Sequence, residues 1–222
     1  PELAPVSTGL GEVYQYILHP KKGSEDKYDA KDLRTMQDWI VARQLNGTKG
    51  IAEVNSFGGK LKQYEVAVNP NRLRAMGVSV TDIFNALEQN NQNTGGAYIE
   101  KDQYAYFIRG VGMAKGVKDL ENVVVKNRNG SPVLVRNVAQ VREGVALRYG
   151  ASTKDGKGEI VSGMVLMLKG ENSSAVVNRI HERMIQINKS LPEGVVAEAF
   201  IDRGKLVDSA IGTVSKNLLE GA

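Results

Sequence analysis

Two histidines, six methionines and no cysteine are the soft and borderline metal ligands available to this 222-residue chain. A metal centre needs three or four donors brought together, and in sequence that shows as short repeated spacings. His19 stands in a loop beside Pro20 and His181 on the flank of a long helical pattern, and neither has a partner at ligand spacing. Met164 and Met167 are three apart in a strand pattern and so face opposite sides. Met36 and Met184 fall on helical apolar stripes, Met76 ends a short helix and Met113 lies in a loop, so core packing accounts for most of the set. Without cysteine there is no disulfide framework, zinc–cysteine site or thiol nucleophile. The glycine-rich pieces FGGK, GVGMAKG and KDGKG match neither GxGxxG nor GxxxxGK[ST] and read as turns. Carboxylates are scattered, Asp82 sits where a helix cap needs an acid, and no Ser-His-Asp spacing stands out. The expectation is a chain that is not an enzyme and carries no cofactor or metal ligand.

One stretch is too rich in hydrogen-bonding groups for a simple connection. In LEQNNQNTGGAYIEKDQYAYFIRG, residues 87–110, Asn90, Asn91, Gln92, Asn93 and Thr94 lead into Gly95 and Gly96. Ala97, Tyr98, Ile99 and Glu100 then open an alternating run that reads as a half-buried strand.

The elements that position this stretch can be read from periodicity. EVYQYIL, residues 12–18, reads as a strand, and residues 30–45 as a helix carrying Leu33, Met36, Trp39 and Ile40, with Asp29 as N-cap. NGTKG stops that helix, and IAEVNSF, residues 51–57, is a second strand. The same β-α-β rhythm returns in EIVSGMVLMLKG (159–170), in a helix with the stripe Val177, Ile180, Met184, Ile187 and Leu191 capped by Ser173 or Ser174, and in VVAEAFID (195–202). Asp155-Gly156 marks a hairpin just before it. Two such units on a shared antiparallel sheet make a ferredoxin-like split βαβ fold of the α+β class.

About 85 residues separate the two units, and they carry elements of their own. KQYEVAVN reads as a strand, and NPNRLRAMG as a short helix with Pro70 in its first turn. SVTDIFNALEQN reads as a helix capped by Ser79, with Val80, Ile83, Phe84 and Leu87 on one face. AYIE, QYAYFIRG, NVVVKN and PVLVRNVAQVRE come next, with Asn129-Gly130 as a tight hairpin. A small α+β domain is therefore expected inside the larger one, entered and left near Gly58-Gly59 and Glu143-Gly144, the candidate hinges.

The 29 basic and 25 acidic residues are interspersed, which fits a mixed solvated surface better than a nucleic-acid stripe, and no RNP pattern of aromatics is present. No apolar run approaches the roughly 18 residues of a membrane span. Both ends, PELAPVSTG and KLVDSAIGTVSKNLLEGA, read as cut from something larger.

Several strings carry a resemblance that runs nearly end to end and in order. They are GIAEVNSFGGKLKQYEVAVNPNRLRAMGVSVTDIFNALEQNNQNTGGAYIE, SPVLVRNVAQVREG, DGKGEIVSGMVLMLKGENSSAVV and SLPEGVVAEAFIDRGKLVD. Together they resemble the heavy-metal efflux branch of the resistance-nodulation-division transporters, the CzcA/CusA type. The resemblance implies a proton-driven, trimeric inner-membrane pump of a Gram-negative bacterium, of which this chain is most of the first periplasmic loop. Residues 1–58 would be the end of the first porter linker and the first half of a porter subdomain, 59–143 a docking subdomain, 144–201 the second half of the porter subdomain, and 202–222 a helix leading to the second membrane span. Its implied partners are two further copies of the chain, an outer-membrane channel, a periplasmic adaptor and the transported metal cations; nucleic acid is not among them. NTGGAYIE and GEIVSGMVLML look closer to the zinc/cobalt/cadmium subgroup than to the copper/silver one. The cation and proton-relay sites of the family lie outside this stretch, so no ligand is carried over to any residue here.

In the family the docking subdomain sends an arm into the neighbouring protomer, and the matching stretch here is about Asn90 to Gln103. Such an arm needs polar groups for its own backbone and its partner's, glycine where the chain reverses, and aromatic or β-branched residues where it inserts. Asn90–Asn93, Gly95-Gly96, and Tyr98 with Ile99 meet those demands in order. Two other readings remain: a stand-alone ferredoxin-like small-molecule sensor, and a multidrug pump of the same superfamily, against which four Phe and one Trp count.

Overall fold

The computed structural model describes residue 7 and residues 11–128, 130–156 and 158–221. In chain order the elements are β1 (Glu12–Pro20), α1 (Ala30–Met36), a π-helical turn (Gln37–Val41), α2 (Ala42–Asn46), β2 (Ile51–Gly58), β3 (Lys62–Val68), α3 (Pro70–Met76) and α4 (Val80–Asn90). Next come β4 (Thr94–Lys101), β5 (Tyr104–Gly110), α5 (Val117–Glu121), β6 (Val124–Arg128), β7 (Ser131–Leu134), α6 (Val135–Val138) and β8 (Ala139–Val145). The chain closes with β9 (Ser152–Thr153), β10 (Glu159–Met167), α7 (Ser173–Ser190), β11 (Val195–Asp202) and α8 (Arg203–Glu220). It divides into two compact units, one of residues 1–62 and 146–222, the other of residues 63–145. Among the described residues no helix is long and apolar enough to cross a membrane.

The first unit is built on an antiparallel sheet in the order β11-β1-β10-β2, the ferredoxin-like order, with β9 added to β10. Tyr14, Tyr16 and Leu18 of β1 and Val161 and Val165 of β10 alternate into the core, as every second residue of a strand must. Val177, Ile180, Met184 and Ile187 of α7 close over them, together with Leu33, Val41 and Leu45. Asn172, rather than Ser173 or Ser174, caps α7: its side chain accepts from the Ala175 N–H at 3.0 Å, because the helix already begins at Ser173. The expected single helix over 30–45 is interrupted by the π turn, whose extra residue rotates α2 relative to α1. Gln37 is thereby fully buried, donating from Nε2 to Tyr16 Oη at 2.8 Å and to Ser56 Oγ at 3.2 Å. Trp39, expected on the apolar stripe, is instead 66% exposed, with the Arg43 guanidinium 5.3 Å from its ring centre. Asp29 caps α1 through a reciprocal capping box with Asp32.

The second unit has two-stranded pairings β3-β8, β4-β5 and β6-β7. Its core gathers Leu73, Val78, Ile83, Val133 and Val138, and beside them Leu120, Val135, Ala139 and Val141. The run PVLVRNVAQVRE breaks into β7, the one-turn α6 and β8, which lets both Val135 and Val138 reach full burial. On α4 the inward line is Ile83, Ala86 and Leu87, while Val80 and Phe84, expected on the same face, are exposed. These small sheets cover a narrower stripe than the sequence pattern offered. The β6-β7 turn passes through Gly130 at φ 83°; Asn129 lies outside the described residues.

Candidate functional site

Strands β4 and β5 form a ribbon in which every residue of both strands is exposed. The expected half-buried face is not formed: among the described residues neither side of this ribbon is covered by another element of its unit. The register pairs Tyr98 with Phe107, Ile99 with Tyr106 and Lys101 with Tyr104. Directly opposed residues share a face. One face therefore carries Tyr98, Phe107, Glu100 and Ala105, and the other Ala97, Ile108, Ile99, Tyr106, Lys101 and Tyr104. The Tyr98 and Phe107 rings lie 6.2 Å apart, and Phe107 is 83% exposed. Aromatic and branched side chains thus stand in water on both faces of one ribbon.

The chain does not reverse at Gly95-Gly96. These glycines lie inside β4, where the register shifts between Gly95 and Ala97. Reversal comes at Asp102 and Gln103, both at positive φ (52° and 65°), between the paired Lys101 and Tyr104. A two-residue loop with both residues left-handed matches the right-handed twist of the flanking strands, and that requirement outweighs the absence of glycine here. The ribbon consequently extends to Gly110, and Tyr104, Tyr106, Phe107 and Ile108 belong to it. Their alternation is visible in sequence but is equally that of a core strand, so it carries no signal of exposure.

The amides ahead of the ribbon are engaged within the chain. Asn90 Nδ2 donates to the Ala86 carbonyl at 2.8 Å and Gln92 Nε2 to that of Glu88 at 3.1 Å. Asn91 Oδ1 accepts from the Ala114 N–H at 2.9 Å, and Asn93 Oδ1 from those of Gly112 and Met113 at 3.2 and 3.4 Å. A cavity of about 440 Å³ opens beside this root, lined in part by Asn90, Asn91, Met113, Asp119 and Val123. At its other end α4 is fixed by the Ser79/Asp82 capping box, and the Ser79 backbone N–H, followed by its hydroxyl, holds the Asp82 carboxyl below its ordinary range.

Of the four hinge candidates, Gly58 ends β2 and Gly59 comes directly after it, both left-handed at φ 72°. Arg34 Nη1 donates to the Gly58 carbonyl at 2.8 Å, and the Lys60 N–H to that of Ala30 at 3.1 Å. Glu143 and Gly144 lie within β8. Nearby in that strand Arg142 grips Glu65 of β3 through two bonds of 2.8 and 2.9 Å, and this holds the Glu65 carboxyl below its ordinary range. Among the described residues no cluster of three His, Asp or Glu side chains could hold a metal ion. The histidines are in ion-pair geometry instead, His181 with Asp202 at 2.8 Å and His19 with Glu198 at 3.1 Å.

The model of the AcrB/AcrD/AcrF family matches residues 1–222. The chain belongs to the AcrB/AcrD/AcrF family. It is 43% identical over 226 residues to the cobalt-zinc-cadmium resistance protein CzcA of Cupriavidus metallidurans, covering 100% of this chain and 21% of that protein. It is 44% identical over 222 residues to protein HelA of Legionella pneumophila, covering 99% of this chain and 21% of that protein. The crystal structure of a heavy metal efflux pump superposes at a TM-score of 0.79 with 32% identity, covering all of this chain and 22% of that one. The chain spans about a fifth of the length of the relatives it matches. The match to the AcrB/AcrD/AcrF family and to that structure takes in the residues of both units.

Proposed function

We propose that this chain is the periplasmic porter and docking portion of a proton-driven heavy-metal cation efflux pump in a Gram-negative inner membrane. In this reading the pump is a trimer, and the β4-β5 ribbon is the arm that each protomer extends to its neighbour. The first unit rocks to open and close a cleft, and the second faces an outer-membrane channel, with a periplasmic adaptor outside. Zinc, cobalt and cadmium are the expected cargo, since a relative named for resistance to those metals is 43% identical across the whole chain. The cation site itself is assigned to parts of the pump outside this chain.

The observation that carries the reading is the ribbon uncovered on both faces. A two-stranded hairpin is at best marginal alone in water, and aromatic side chains lose free energy when left exposed on both sides. Seating in a second copy covers both faces at once. Phe107→Asp in the full-length pump tests this. Native gels of the membrane-extracted protein should show the trimer replaced by smaller species, and cells expressing the variant should lose zinc, cobalt and cadmium tolerance. An unchanged trimer would remove the arm from the reading.

A further inference from the structure

The four amides before the ribbon divide into two kinds by the group each one uses. Asn90 and Gln92 use their NH₂ groups, as donors to carbonyls in the last turns of α4. Asn91 and Asn93 use their carbonyl oxygens, as acceptors for the N–H groups of residues 112–114. Those three residues lie outside any helix or strand, so their N–H groups need partners from elsewhere. An amide side chain offers both a donor and an acceptor, and here each position uses one. Opposite them the returning chain passes close against the outgoing one. A Cβ on Gly112 would collide with the Gln92 carbonyl, and one on Gly110 with Thr94 Oγ1. The outgoing and returning chains are thus bonded to each other and to the end of α4, just where the ribbon loses all cover.

We propose that Asn90–Asn93, with Gly110 and Gly112, form a splint that sets the direction in which the ribbon leaves its unit. The ribbon then reaches a second copy as a rigid arm and not as a tether. These amides are positioning residues that act through the ribbon; their hydrogen bonds are to their own chain. The splint rests on the inter-protomer reading for its purpose, but its geometry is testable in a single chain. A pre-directed arm loses less conformational freedom on seating than a loose one, so the splint strengthens assembly without adding a contact to the neighbour.

The chain has no cysteine, so Lys101→Cys on the ribbon and Arg72→Cys on α3 can carry a nitroxide pair without further change. Pulsed EPR then reads the distribution of distances between them. The parent should give one narrow peak, and Asn91→Ala with Asn93→Ala should lose it. Asn91→Asp with Asn93→Asp keeps both acceptors and should retain the peak, which separates loss of the splint from general misfolding. Asn90→Asp with Gln92→Glu removes both donors, sets negative charge against helix-end carbonyls, and should also lose it. An unchanged narrow peak in the alanine pair, or equal broadening in the Asn91→Asp/Asn93→Asp pair and the Asn90→Asp/Gln92→Glu pair, overturns the proposal. Phe107→Asp should keep the narrow peak while dispersing the trimer of the full-length pump. If that trimer persists while the alanine pair still broadens, the splint stands and the arm reading falls.

Discussion

β1 and β5 carry nearly the same message and meet opposite fates. VYQYIL and QYAYFI are both short, alternating and tyrosine-rich. In β1 the rings of Tyr14 and Tyr16 are buried under α7 and the helical segment from α1 to α2. In β5 Tyr104, Tyr106 and Phe107 stand in solvent. β1 has a strand on each side and a helical layer over one face. β5 has one neighbour and no layer. A strand pattern therefore specifies extended backbone and side-chain alternation, while the fate of each face depends on what is laid against it.

The sharpest way to break this comparison is to delete the corresponding rings. Tyr16→Ala should destabilise the chain by about 3–5 kcal/mol in urea titration, as large core truncations do, and it also removes one of the two acceptors of the buried Gln37 amide. Phe107→Ala in the same 222-residue chain should move stability by no more than about 0.5 kcal/mol, the range of surface changes. Equal losses would mean that the ribbon is covered within its own unit.

Alkaline unfolding gives a second contrast. Burial, reinforced by the Asp202 charge, pushes the Tyr14 hydroxyl up to about 12. The unfolded chain then releases this proton at lower pH than the folded one. Tyr14 stabilisation is therefore complete below the ordinary tyrosine value of about 10 and falls as pH rises through 12. Tyr14→Phe should flatten that part of the stability–pH curve, monitored by circular dichroism.

At acid pH the two capping boxes act in the opposite sense. Asp29, through the Asp32 backbone N–H first, and Asp82, through that of Ser79, are both held below the ordinary carboxylate range. Their stabilisation is present at neutral pH and is lost as pH falls through the folded values. Asp29→Asn and Asp82→Asn should shift the acid midpoint by a small amount each, Asp29→Asn in the first unit and Asp82→Asn in the second.

A small effect of opposite sign is expected at the ribbon's tip. Gln103→Gly removes the cost of a left-handed non-glycine residue and should steady the hairpin by about 0.5–1 kcal/mol. Slower amide exchange at Tyr104 would report it, and unchanged exchange would place the reversal elsewhere.

Periodicity in the sequence was sufficient for β1, β2, β10, α7 and β11, and through them for the ferredoxin-like sheet, because alternation and a 3.6-residue stripe are direct imprints of backbone geometry. It also located the Asp29 and Ser79 caps, the first-turn Pro70 and the Asp155-Gly156 turn, whose chemistry is local. It could not foresee the π turn that buries Gln37 and turns Trp39 outward, since one extra residue in a helix leaves no trace in composition. At the candidate site the amides, glycines and aromatics were recognisable as a group, but their roles were not. Which amide gives a proton and which receives one is settled by carbonyls and N–H groups up to 23 residues away. Whether an aromatic strand becomes core or projects into water is decided by long-range packing, and no local pattern of residues encodes the presence or absence of a covering layer.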